Sequence, residues 1–112
     1  MSALIVSREV IASALSWMGV PKMYLRHASN VLISDKGTCI QQVTMDFDRW
    51  QLHQWLKTTS HADTYNRSTA LVAALQDCFC NDVLVISANY PKNTANIRVG
   101  ILITLGQEKF ID

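Results

Sequence analysis

The stretch from Ile97 to Leu105 places an apolar side chain at every second position: Ile97, Val99, Ile101, Ile103 and Leu105, with Arg98, Gly100, Leu102 and Thr104 between them. Successive side chains of an extended chain point to opposite faces, so this alternation specifies a strand with one face in a core. Gly100 inside the run predicts a bulge or a close approach by another segment. The preceding run, Val83-Leu84-Val85-Ile86, is apolar without a break and reads as a central strand covered on both sides. Tyr90-Pro91-Lys92-Asn93-Thr94-Ala95-Asn96 is rich in turn formers and joins the two strands as a long hairpin loop.

A second hairpin lies upstream. Asn30 to Ser34 runs through Asp35-Lys36-Gly37 into Thr38 to Met45, and a three-residue loop ending in Gly suits a type I turn followed by a bulge. In the second strand Thr38, Ile40, Gln42 and Thr44 share one face, and Cys39, Gln41, Val43 and Met45 share the other. The mixed polarity of both faces predicts a strand near a sheet edge or facing a cavity. Met23 to Arg26 is compatible with a further short strand.

Three helices complete the chain. Ser7 is placed to cap a helix from about Arg8 to Met18, with Val10, Ile11, Ala14, Leu15 and Met18 as its apolar stripe, Trp17 at the stripe's edge, Gly19 as the left-handed stop and Pro21 beyond it. Asp46 or Asp48 caps the next, Asp48 to Lys57. Asp63 or Thr64 starts the third, to about Cys78, with Ser68, Leu71, Val72, Leu75 and Phe79 inward and Ala70, Ala73 and Ala74 to the sides. The whole reads as one α+β domain over residues 1–112 in the order α-ββ-αα-ββ. The expected architecture is an antiparallel or mixed sheet of about four to five strands, with the helices mainly on one face.

The second helix holds the most unusual residue. Successive side chains turn by about 100°, so Leu52, Trp55 and Leu56 share one face and Trp50 points away, beside Gln54 and Lys57. A large ring on a polar face is either folded back under the preceding loop, here Met45 to Phe47, or offered to a partner. Folding back under the loop is the simpler reading, and a subunit or ligand contact is the second. The chain is 49% hydrophobic and only 17% charged, below the usual charged fraction of about 25%. Part of its surface is expected to be covered by self-association, most simply as a twofold dimer.

Other residues carry weaker signals. Cys78-Phe79-Cys80 has one residue between its thiols; on a helix they would point about 200° apart and could not share an ion. Small buried residues at a helix end describe them better, and Cys39 reads as an inert packing residue of its strand. Asp46 and Asp48 flank Phe47, a spacing that suits a cation or an acid–base pair on a strand, but helix capping explains them more simply. Of His27, His53 and His61, His53 lies at the flank of its helix stripe, near a groove edge.

No catalytic, cofactor or metal fingerprint is present. The expectation is a non-enzymatic, cytoplasmic binding or regulatory module, homodimeric or of higher order. Its ligand would be a protein or a small apolar molecule, held by Trp50, His53, Gln54, Lys57, Tyr90, Lys92 and Asn93. No cofactor, disulfide or membrane segment is expected. One alternative is a small enzyme assembled from Asp46, Asp48, His53, Cys39 and Tyr90, which requires at least two of them to converge. The other is a nucleic-acid binder, which requires Arg26, Arg49 and Arg98 to form one positive face. The net charge of +1 and the scattered basic residues argue against it.

Overall fold

The core is an antiparallel sheet in which, among the described residues, Met23–Leu32, Cys39–Asp48, Asn96–Leu105 and Val83–Asn89 lie side by side in that order. The computed structural model describes residues 8–32 and 39–105. The elements are α1 (Arg8–Trp17), β1 (Met23–Leu32), β2 (Cys39–Asp48), α2 (Arg49–Leu56), α3 (Arg67–Gln76), β3 (Val83–Asn89) and β4 (Asn96–Leu105). This is an α+β fold in the expected order, with four strands among the described residues. Among the described residues no helix is long and apolar enough to cross a membrane.

The alternation in β4 does what its pattern requires. Ile97, Val99, Ile101 and Ile103 are buried and meet Val43, Met45 and Phe47 of β2 on the same face. Ile11 and Leu15 of α1, Leu52, Trp55 and Leu56 of α2, and Leu71 and Leu75 of α3 join the same cluster. Burying a side chain of this size contributes about 1.5–3 kcal/mol, so the sheet–helix layer is the main stabilising feature.

Several expectations need correction. Val83 to Ile86 forms an edge strand, not a central one. Its run is unbroken because Val85 enters the core, while Leu84 (55% exposed) and Ile86 (43%) lie outside it. Conversely β2, expected near an edge, lies between β1 and β4. Its odd-numbered face becomes uniformly apolar from Val43 onward, and β1 covers its other flank. Met23 to Arg26 is not a separate strand but the start of the ten-residue β1, whose pairing shifts register between Leu25 and His27. α3 begins at Arg67, capped by Asn66, rather than at Asp63 or Thr64; the Asn66 side chain accepts the Thr69 N–H. Its buried stripe is Ala70, Leu71, Ala74 and Leu75, with Ser68, Val72 and Phe79 only partly buried. Small residues are inward here because α3 lies close against β3. The proposed Ser7 cap and the 35–37 hairpin loop lie outside the described residues, as does the side chain of Cys39, the first residue of β2.

Other local signals act as read. Gly19 adopts φ +78° after α1, and the N–H groups of Gly19 and Val20 bond back to the carbonyls of Ser16 and Leu15. This paired pattern closes a helix with a left-handed residue. Gly100 sits opposite Ser87, where a Cβ would lie 2.9 Å from Ser87 Oγ and 3.3 Å from Ile86 Cγ1. The close approach predicted for that glycine is therefore present, beside a register shift in β3 between Val85 and Ser87.

Candidate functional site

Asp48 ends β2 and starts α2. Its Oδ2 accepts the Gln51 N–H at 2.9 Å, which settles capping on Asp48. The Arg49 N–H donates to Ala95 O at 2.7 Å, so the β2–β4 ladder runs one step into the helix and ties it to the 90–95 connection. That connection is internally braced. Thr94 Oγ1 donates to Pro91 O and accepts the Asn96 N–H, and Asn93 takes a left-handed φ of 61°. Asn tolerates this conformation better than most residues.

Arg49 and His53, one helical turn apart, both reach Tyr90. His53 Nε2 lies 2.8 Å from the Tyr90 hydroxyl. The Arg49 guanidinium carbon lies 5.2 Å from the centre of the Tyr90 ring, within cation–π range, and its Nη2 donates to Thr94 O at 3.1 Å. Arg49 Nε is buried without a hydrogen-bond partner. Asp48, Arg49, Trp50 and His53 on one side and Asn93, Thr94 and Ala95 on the other line an open cleft of about 440 Å³. Trp50 forms part of that lining and is 70% exposed; it does not fold back under the loop.

Burial holds the His53 pKa below its ordinary 6.5, and the positive charges of Arg67, Arg49 and Lys57 lower it further. Burial raises the Tyr90 pKa, against the opposing pull of Arg67 and Arg49. At neutral pH both groups are therefore uncharged, joined by a hydrogen bond whose direction depends on the imidazole tautomer.

Of the residues singled out in the sequence, Trp50, His53 and Asn93 line the cleft and Tyr90 braces it. Gln54 is half-buried; Lys57 is exposed and follows α2 as its C-terminal cap; Lys92 is exposed on the same connection as Asn93. Asp46 is drawn away from Asp48. Its carboxylate is 7% exposed, accepts from Arg98 Nε at 3.0 Å, and lies 3.4 Å from Arg26 Nη1. Arg26 and Arg98 thus converge on one carboxylate, while Arg49 is engaged by Thr94 and Tyr90. His61 pairs with Asp77 at 2.8 Å. Cys78 and Cys80 are free thiols, the second exposed, in the turn after α3. No group of three His, Cys, Asp or Glu side chains able to hold a metal occurs among the described residues.

Sequence reasoning missed Arg49 and Arg67 as site residues. The i, i+4 spacing of Arg49 and His53 was available in the sequence, but that both meet Tyr90 depends on the β3–β4 hairpin folding beside α2. Compared with protein families, with curated proteins and with solved structures, the chain matches none.

Proposed function

We propose that this protein is a non-catalytic binding module and that the Trp50 cleft is its contact surface. One observation carries the reading: one of the two tryptophans of α2, Trp50, stands exposed at a cleft whose wall is held by backbone and side-chain hydrogen bonds. An exposed aromatic beside a preformed concavity is the usual composition of a recognition site. The groove between α3 and β3 is larger, about 570 Å³, but its lining contains no charged group and no aromatic ring. The His53–Tyr90 hydrogen bond holds α2 beside the β3–β4 connection and so supports the cleft wall. Of the groups an enzyme would need, His53 and Tyr90 converge with Asp48 nearby, but the Asp48 carboxylate is engaged in capping and Asp46 is held by two arginines. A cytoplasmic setting suits the free Cys78 and Cys80 thiols.

A fragment library screened by protein-observed NMR tests the reading. Bound fragments should shift resonances of Trp50, His53 and Asn93. Hits spread evenly over the surface, or gathered in the α3–β3 groove, would overturn it.

Self-association rests on a different observation. Leu84 and Ile86 are exposed apolar side chains on the edge strand β3, a position that favours covering by another molecule. Light scattering should show a dimer for the wild type and for Trp50→Ala, and a monomer for Ile86→Asp. A wild-type monomer at high concentration refutes self-association, and a dimer lost only in Trp50→Ala moves the interface to the cleft.

A further inference from the structure

The charges near the cleft are compensated differently from those elsewhere. On the sheet, Arg26 and Arg98 share the Asp46 carboxylate. Around His53, the cations Arg49, Lys57 and Arg67 all act on the imidazole. Among the described residues none of the three has an ion-pair partner. The carboxylate that lines the cleft, Asp48, accepts a backbone N–H at the start of α2. Arg49 is also partly desolvated, with its Nε buried and unbonded. A partly desolvated, unpaired positive charge favours an anion placed beside it. Trp50 adds an exposed flat ring to the same cleft.

We infer that the cleft takes a small aromatic acid: a planar ring bearing a carboxylate or a phosphate monoester, with the ring against Trp50 and the anion beside Arg49. This rests on the reading of the cleft as a contact surface and adds the chemistry of its ligand. The volume of about 440 Å³ falls within the range of small-molecule sites. A nucleic-acid strand would need a continuous basic track, and the Arg26–Arg98 pair that might extend one is already held by Asp46. Aromatic stacking and charge act together here. The ring alone would bind weakly on an open surface, and the anion alone would be screened by salt.

The test is a titration of the full chain, followed by proton–nitrogen correlation NMR, with phenylacetate and AMP. The controls are phenylacetamide and adenosine, which keep the ring without the charge, and acetate and inorganic phosphate, which keep the charge without the ring. At least one acid should shift the Trp50 indole and the 93–95 amides saturably, with an affinity tenfold or more above both of its controls. Tighter binding of phenylacetate identifies a carboxylate ligand, and tighter binding of AMP a phosphate. Trp50→Ala should lose about tenfold for the ring-bearing acids. The exposed-site variants Lys57→Gln and Arg67→Gln should each weaken the acids about threefold at low salt while leaving the neutral rings unaffected.

Neutral rings that bind as well as the acids overturn the inference but leave the contact-surface reading standing, because fragments would still gather at Trp50. Acids that shift only the surroundings of Arg26 and Arg98, or that shift nothing at millimolar concentration, also overturn it. In the latter case the fragment screen decides separately whether the cleft binds anything.

Discussion

Trp50 and Trp55 stand five residues apart on α2 with opposite environments, and replacing each by Ala separates surface from core. Trp55 is 9% exposed and its indole Nε1 donates to Met18 O at 3.1 Å, which ties α2 to the end of α1. Trp50 is 70% exposed. An aromatic side chain of this class buries about 150–250 Å² when fully covered. At about 25 cal/mol per Å², the covered fraction of Trp50 is worth about 1–2 kcal/mol. The same reasoning gives about 3–6 kcal/mol for Trp55, before the lost hydrogen bond and the cavity are counted. Both figures are upper bounds, because the unfolded chain already buries some of this surface, but their ratio survives that correction. Urea unfolding followed by far-ultraviolet circular dichroism, whose signal comes mainly from the backbone, gives the two midpoints. Trp50→Ala should fall slightly and Trp55→Ala steeply, to the point of partial unfolding if total stability is within the usual range of about 5–15 kcal/mol. Equal losses would refute the assignment of Trp50 to the surface. If wild type is dimeric, the comparison belongs at several protein concentrations, since a Trp50 interface would make its loss concentration-dependent.

The pKa of His53 is depressed in the folded chain, so the unfolded state takes up a proton first as the medium is acidified. Its contribution to stability is complete above the unfolded value of 6.5 and is lost as pH falls through the folded value. His53→Gln should flatten that part of the urea-midpoint profile, and an unchanged slope would show that another group titrates there. Gly100→Ala should cost about 1–3 kcal/mol through overpacking against Ser87 and Ile86; thermal unfolding checks it, and the double variant Gly100→Ala with Ser87→Gly should recover part of the loss. The Gln76 side chain donates to Val83 O and accepts the Val85 N–H, both at 2.8 Å, and so occupies part of the free edge of β3. Gln76→Ala should lose about 1–3 kcal/mol and raise concentration-dependent light scattering, while Gln76→Glu, which keeps only the acceptor, should fall between the two.

The local elements were readable from the chain because short-range physics decides them. The period-two pattern of Ile97 to Ile103 specifies a half-buried strand whatever it pairs with. Gly19 and Asp48 punctuate helices through backbone hydrogen bonds a few residues away, and the facing of Trp50 away from Leu52, Trp55 and Leu56 follows from helix geometry alone. Where one signal had several sources, the reading failed. An apolar run such as Val83 to Ile86 looks the same in a central strand covered on both faces and in an edge strand with one open face. Asn66, Asp63 and Thr64 are all competent caps, and the burial of Ala70, Leu71, Ala74 and Leu75 in the core goes with the first.

Strand order, the partners of Asp46 and the composition of the cleft belong to the tertiary structure. Arg26 and Arg98 meet Asp46 from residues 20 and 52 positions away, and His53 meets Tyr90 across 37. Sequence periodicity extends over a turn or a pleat and carries no information about which distant segments become neighbours. That choice is made when the faces prepared locally are buried together, and here it places the β3–β4 connection beside α2. Sequence by itself determined that Trp50 would point away from the core of its helix. Only the folding of the hairpin against that helix decided that it would overlook a cleft lined by Arg49.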